Sequence, residues 1–246
     1  MKKIFKIILQ YYLKFITKLV LLIHRPTVIA ISGSVNKSFF RDEIKKVLAE
    51  QGKTVRANPK NFNTEIGLPL AILNIESGYN SYRRWLPVLA SAAKAIFQKN
   101  FPTYLVLELG VAQRGDMRYL FSIVKPQVAI VTEITQRYIE SFSGMDKLMG
   151  EYIYLAKNVK KGGKLILNWD NEKVRRLKKY AKVPVLYFGT DSKEVDGRIE
   201  EIKKEIDGIM VKFNYKDRQN EIKINRFGAH HAKAVVVGQI VKVENI

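Results

Sequence analysis

Between Thr27 and Tyr187 the chain alternates short β-rich runs with helical stretches, and several of the β-rich runs are apolar almost throughout. Leu105-Val106-Leu107-Glu108-Leu109 and Val128-Ala129-Ile130-Val131-Thr132 leave no polar face to turn toward water. Such strands belong in a parallel sheet covered by helices on both sides. The pattern predicts strands over 27–32, 54–56, 104–108, 128–132, 164–168 and 184–187. It predicts helices over 41–51, 82–98, 117–124, 145–157 and 171–181. This alternation argues an α/β fold with a mainly parallel sheet flanked by helices. The tail follows another rule. Residues 208–215 and 220–225 flank Lys216-Asp217-Arg218-Gln219 as a β-hairpin, and a helix over 230–243 closes the chain.

At 246 residues the chain is long enough to bury a core of its own. We divide it into a basic amphipathic helix over 1–26 and one α/β domain over 27–246. Lys and Arg number 43 against 23 Asp and Glu, a formal net charge of +20. A surface so basic favours anionic partners: nucleotide phosphates, acidic lipid headgroups or nucleic acid. Cysteine is absent, which excludes disulfide frameworks and thiolate metal sites and fits a reducing compartment, the cytoplasm.

The first 26 residues hold Lys2, Lys3, Lys6, Lys14, Lys18 and Arg25 and no acid. At about 100° per residue, Lys3, Lys6, Gln10, Lys14, Thr17 and Lys18 gather on one side of a helix, opposite Ile4, Ile8, Tyr11, Phe15, Leu19 and Leu22. The lysines break every apolar run short of the roughly 20 residues a spanning helix needs. They also fall inside the would-be apolar region of a secretory signal, which argues against one. A helix of this kind lies in the interface of an anionic membrane through residues 1–24, or packs its apolar face on protein. Both demand the same pattern.

The first strand runs into Gly33-Ser34-Val35-Asn36-Lys37-Ser38 and then a helix, the context a phosphate-binding loop needs. Backbone N–H groups and the helix N-terminus would cradle phosphate, Lys37 would reach the terminal phosphates, and Ser38 would hold Mg²⁺. The glycine that ordinarily precedes the lysine is Asn36. Asparagine tolerates a positive φ better than most non-glycine residues, so the turn can survive, although its side chain crowds the phosphates. An ordinary βα turn is the plain alternative.

The segment Asn61-Phe62-Asn63-Thr64-Glu65-Ile66-Gly67-Leu68-Pro69 is more specific, because no secondary structure requires it. Residues 28–73 together resemble the Mur ligases, most closely the branch that adds D-alanyl-D-alanine to the UDP-muramoyl tripeptide. In that family a Gly-Ser-x-Gly-Lys-Thr loop precedes an Asn-x-Asn-Asn-Glu-Ile-Gly-x-Pro segment. Residues 105–120 are similar to the family's Leu-Glu-Met-Gly segment, and residues 125–134 to its Lys-Pro-Asp-x-Ala-x-Ile-Thr-x-Ile strand. Residues 165–171 resemble Leu-Asn-x-Asp-Asp/Asn, and residues 227–238 the helix closing the central domain. The resemblance implies a P-loop-type central domain that binds ATP and Mg²⁺. It implies that Gly33, Ser34, Val35, Asn36, Lys37 and Ser38 hold the phosphates, that Ser38 and Glu108 hold the metal, and that Lys37 and Glu108 are catalytic. Asn168, Asp170 and His230 would lie near adenine, and Asn61 and Asn63 would position substrate. The activity implied is amide ligation in peptidoglycan precursor synthesis.

Departures from the family pattern matter as much. The histidine that helps bind a second Mg²⁺ falls on Tyr138. The carbamylated lysine falls on Tyr152 by a gapless count, or on Met149 if Gly150-Glu151 is anchored on the family's Lys-Gly-Glu. A phenol is a poor ligand for a cation that prefers hard, charged oxygen. The family's domains for the UDP moiety and for delivering the amine are expected to be lacking. The expectation is therefore a degenerate ATP-binding relative, catalytically impaired as an isolated chain, cytoplasmic and peripheral at the inner face of the membrane. A partner protein would supply the missing domains. The rivals are a non-catalytic scaffold attached to a membrane or partner and, more weakly, a basic nucleic-acid binder. Tyr82, Arg83, Arg84 and Trp85 could stack on bases, but at helical spacing Trp85, Leu86 and Leu89 read instead as core anchors. His230 and His231 lack a third metal ligand. Lys157, Lys160, Lys161 and Lys164 read as a solvated helix end and turn.

Overall fold

The computed structural model describes residues 3–59, 61–79, 81–137, 139–190 and 192–246, without the side chain of Lys3. Its strands are β1 (Thr27–Ser32), β2 (Val55–Ala57), β3 (Tyr104–Leu109), β4 (Val128–Val131), β5 (Lys164–Asn168), β6 (Val185–Gly189), β7 (Gly197–Glu205), β8 (Gly208–Tyr215) and β9 (Arg218–Ile224). Its helices are α1 (Lys3–His24), α2 (Lys37–Glu50), α3 (Gly67–Leu73), α4 (Tyr82–Lys94), α5 (Asp116–Phe121), α6 (Ile139–Phe142), α7 (Met145–Asn158), α8 (Glu172–Arg175) and α9 (Ala229–Val243).

The strands form one sheet in the order β2-β3-β1-β4-β5-β6-β7-β8-β9. Pairing is parallel from β2 through β7 and antiparallel between β7, β8 and β9. The apolar runs are explained by two buried layers. Leu105, Leu107, Ala129 and Val131 pack with Met117 and Leu120 of α5 and with Leu148 and Leu155 of α7. Val106, Ile130 and Ile31 pack on the other side with Phe40 and Ile44 of α2 and Val236 and Ile240 of α9.

The departures from expectation have physical causes. The hairpin is a three-stranded meander, because β7 (Gly-Arg-Ile-Glu-Glu-Ile-Lys-Lys-Glu) is also a strand. Its charged side chains hide it from a hydrophobicity pattern, and a bulge between Ile199 and Glu201 breaks the strict alternation. Helix α3 was not predicted. It is short, and Leu68 through Leu73 are buried on every side, so it has no amphipathic period to detect. Helix α2 begins at Lys37 rather than at residue 41. Trp85 is a core anchor as expected, but Leu86 is exposed. Lys164 is half-buried against Glu244 rather than solvated.

The largest correction concerns α1. The face that docks on the domain is Leu9, Leu13, Ile16 and Val20, packed with Leu70 and Leu73 of α3 and Trp85 and Val88 of α4. Ile4, Ile8, Tyr11, Phe15 and Leu22, taken above as the packing or membrane stripe, are exposed. The helix is therefore apolar on two faces. Residues 4–24 are also long and apolar enough to cross a membrane by length and composition, which the lysines had argued against. Leu13 is fully buried in this seam. Leu13→Ala should cost about 2–5 kcal/mol, the range for a truncated core leucine, read as a drop in urea midpoint at unchanged slope. A loss under 0.5 kcal/mol would mean that α1 does not dock in solution.

At the other end, Glu244 gathers three partners that tie α9 to β5 and β8. Tyr215 donates its hydroxyl at 2.6 Å, Lys216 lies at 2.5 Å, and Lys164 makes a third contact. Burial pushes the Glu244 carboxyl up, but the hydrogen bonds from Lys164, Lys216 and Tyr215 outweigh it and hold the pKa at about 2. A depressed carboxylate stabilises the fold above its unfolded pKa and loses that contribution as pH falls through the folded one. Glu244→Gln should thus melt lower than the unmodified chain at pH 7, and the gap should close as pH falls from about 4.5 toward 2.

Candidate nucleotide site

The loop between β1 and α2 is shaped by its neighbours. Gly33 has φ 144°, and a Cβ there would meet the Thr132 hydroxyl at 2.1 Å. Ser34 N–H donates to Glu133 O at 2.7 Å, and the Ser34 hydroxyl accepts from Thr135 N–H at 3.0 Å. Thr132 closes the other side, donating to Val35 O at 2.7 Å. Asn36 is left-handed, with φ 66° and ψ 1°, so the turn that usually requires glycine is made by asparagine. Its amide is drawn aside to Glu133 Oε1 at 3.3 Å. Lys37 is the first residue of α2, and its ammonium folds back to Gly33 O at 2.6 Å. Burial lowers the Lys37 pKa, against the pull of Glu108.

Glu108, near the carboxyl end of β3, joins this group. Arg41 Nη1 lies 2.8 Å from its Oε1, and the Ser38 hydroxyl hydrogen-bonds its carboxylate. Burial raises the Glu108 pKa, opposed by Arg41 and Lys37. Despite the ion pair, Oε1 is buried with no hydrogen bond of good geometry. An under-satisfied buried carboxylate oxygen beside a serine hydroxyl fits a divalent cation that takes one or two protein oxygens and fills the rest of its shell with phosphate and water. Among the described residues no group of three or more His, Asp or Glu could hold a metal by itself. Ser38 and Glu108 are the residues that could hold Mg²⁺.

Sequence reasoning missed three residues that assemble this centre. Arg41 also donates to Asn58 O at 3.0 Å and pairs with Asp42. The buried Asn58 amide donates to Phe62 O and Glu108 O and accepts from Glu108 N–H at 2.8 Å, tying Asn58 and Phe62 to β3. Thr132 is the third. Thr132 stands in the 125–134 strand segment, where nothing local marks it as a partner of the loop, and Arg41 and Asn58 match no quoted motif position; only the fold brings the three together.

The remaining candidates divide. Asn63 lines a cleft of about 400 Å³ beside Lys37, with Glu65, Arg114 and Asp116, and its carbonyl accepts from Gly110 N–H at 3.0 Å. Asn61 is an exposed turn residue with φ 68° and does not line that cleft. Asn168 is buried, donating to Thr132 O at 2.8 Å and accepting from Asp170 N–H at 3.1 Å. Asp170 accepts from Thr190 and pairs with Lys233 at 2.8 Å. His230 is half-buried, its ring 4.4 Å from Phe39. A hydrogen-bond path thus links the phosphate loop to Asp170 through Val35, Thr132 and Asn168. Tyr152 is buried, its hydroxyl engaged by Ser34, and burial raises its pKa to about 12. Met149 packs against the core. Tyr138 lies outside the described residues. Glu151 accepts from Gly115 N–H and Met117 N–H at 2.7 and 2.8 Å and so caps the start of α5.

Known proteins with this architecture are consistent. The chain is 28% identical over 166 residues to the UDP-N-acetylmuramoyl-tripeptide--D-alanyl-D-alanine ligase of Borreliella burgdorferi, covering 65% of this chain and 30% of that one. It is 24% identical over 147 residues to the Escherichia coli enzyme of the same name, covering 58% and 26%. In structure it resembles MurF from Acinetobacter baumannii, with TM-score 0.76, 16% identity and coverage of 96% and 47%. MurF from Thermotoga maritima in complex with ADP gives TM-score 0.71 at 18% identity, covering 94% and 49%. The chain therefore spans less than a third of these curated relatives and about half of these solved chains. Residues 87–240, more than half of the sequence, match the Mur ligase middle domain, and the chain belongs to that family.

Proposed function

We propose that the chain is the nucleotide-binding part of an ATP-dependent acid–amine ligase of peptidoglycan precursor synthesis, catalytically impaired on its own. One observation carries this: a left-handed Asn36 feeds Lys37 and Ser38 into the first turn of α2 beside the under-satisfied Oε1 of Glu108. Ligases of this class activate a carboxylate as its acyl phosphate, and an amine then forms the C–N bond as phosphate leaves. Lys37 would exchange Gly33 O for the terminal phosphates of ATP and stabilise charge on the transferring group. Ser38 and Glu108 would hold Mg²⁺, which neutralises phosphate charge when bound. If Glu108 turns to the cation, Arg41 keeps Asp42 and Asn58 O as partners. Asn168, Asp170 and His230 would border adenine, and Asn63, in the cleft beside Lys37, would face the carboxylate substrate. In this reading the protein works in the cytoplasm with residues 1–24 against the anionic inner face of the membrane.

A non-catalytic scaffold is the second reading, favoured by Tyr152. With its pKa raised to about 12 by burial, the phenol stays neutral at physiological pH and gives no anionic ligand where the gapless register of the family resemblance places a carbamylated lysine; the other register places Met149 there, which carries no charge either.

Calorimetry should detect Mg-ATP binding that Lys37→Ala abolishes and Asn36→Gly tightens. No binding by either the unmodified chain or Asn36→Gly would end the phosphate-loop reading. A second expectation concerns turnover. With Mg-ATP, UDP-muramoyl tripeptide and D-alanyl-D-alanine, the chain alone should release no phosphate and form no product, because neither Tyr152 nor Met149 supplies the anionic ligand that the family's carbamylated lysine provides. Turnover in the ordinary range of about 1–10³ per second, lost in Lys37→Ala, would overturn the impairment. Activity only on adding a second protein would identify a split ligase.

A further inference from the structure

We propose that α1 and α4 form one composite platform that seats the domain on an anionic lipid surface without spanning it. This rests on the reading of residues 1–24 as membrane-facing, and extends it to a second helix and a fixed orientation.

The two helices are locked side by side. Phe5 meets Tyr82 edge to face at 4.9 Å, and the Tyr12 hydroxyl donates to Leu89 O at 2.9 Å. Two turns later on both helices the contact keeps the same offset, so they run parallel. With about 3.6 residues per turn, Ile8 and Phe15 fall on the outward flank of α1 next to this seam. Leu86, and Phe97 in the turn after α4, fall on the outward flank of α4 next to it. Leu86 is 70% exposed and Phe97 83% exposed, and Ile4, Ile8, Tyr11, Phe15 and Leu22 are all above 60%. A contiguous apolar surface from two helices is not what a solvated face looks like.

Charge identifies the occupant. Residues 1–41 and 77–107, which contain both helices, hold no acid. Lys18, Arg25, Arg83, Arg84, Lys94 and Lys99 are exposed among them. At the carboxyl end of α1 a depression of about 510 Å³ brings Lys18, Arg25, Lys125 and Lys160 together beside Leu22, a setting for phosphate headgroups against an apolar wall. A second copy meeting the same face would oppose like charges, whereas anionic lipid complements them. Spanning is excluded for α4 by its 13 residues. For α1 it is opposed by the docked seam of Leu9, Leu13, Ile16 and Val20 and by the Lys6–Glu65 pair at 2.8 Å. The platform also orients the site, because Gln10 of α1 is a wall of the cleft beside Lys37. That cleft is held within about one helix diameter, ~10 Å, of the lipid.

The test is cosedimentation of the full chain with phosphatidylcholine vesicles, with and without phosphatidylglycerol. The unmodified chain should bind the phosphatidylglycerol vesicles, more weakly as salt rises. Leu86→Glu with Phe97→Glu should weaken partition about tenfold or more, as should Ile8→Glu with Phe15→Glu. Thermal melts should be unchanged, since all four side chains are exposed. If the α1 pair loses binding while the α4 pair binds like the unmodified chain, the composite platform is overturned and the reading of residues 1–24 stands. If the unmodified chain binds no vesicle, both fall. A lipid-free dimer that the α4 pair dissociates would make this face a contact between copies and overturn the proposal.

Discussion

The site depends on the register of three parallel strands. β1 pairs Ile31 with Glu108 and Ser32 with Leu109 on one side, and Ser32 with Val131 on the other. The phosphate loop thus leaves the sheet between Glu108 and Thr132, at the carboxyl ends of the strands, where open α/β sheets bind ligands. A slip of one residue between β1 and β3 would turn Glu108 to the opposite face and bring Leu107 or Leu109 toward Ser38. Such a slip would also turn Leu105 and Leu107 out of their layer, so the hydrophobic packing that fixes the register also fixes the carboxylate.

Within that frame the charges balance tightly. Lys37 and Glu108 are both buried enough for desolvation to pull them toward neutrality, in opposite senses. Each is the other's compensation, and Arg41 adds a second positive charge to the same carboxylate. An arrangement with two cations around one acid, and a lysine resting on a backbone carbonyl, has positive charge to offer a polyphosphate.

Much of this was legible in the sequence for a simple reason: a parallel strand buried on both faces leaves an unmistakable apolar run, and a phosphate loop must follow such a strand. The left-handed Asn36 was legible too, since the loop needs a positive φ there and asparagine can supply it. What stayed hidden was long-range. Asn58 and Arg41 gain their meaning from β3, some 50 and 67 positions away, and no local pattern marks them. β7 failed the hydrophobic test because charged side chains fill it and the bulge between Ile199 and Glu201 breaks its alternation. The α1 wheel misled for the opposite reason. Both faces are apolar, so the moment pointed to the wider stripe, while the domain took the narrower one at Leu9, Leu13, Ile16 and Val20.

That choice of face makes α1 part of the site rather than an appendage. Lys6 pairs with Glu65, Lys14 sits 5.0 Å from the Tyr119 ring, and Gln10 borders the cleft between them. Glu65 lies two residues from Asn63, whose carbonyl holds Gly110 at the end of β3, itself two residues from Glu108. Undocking α1 would therefore do two things together. It would open one wall of the cleft beside the phosphate loop and expose Leu70, Leu73 and Trp85 to water. The cost of the second holds the first in check, so whatever the outer face of α1 rests on, the shape of the cleft is set by the inner one.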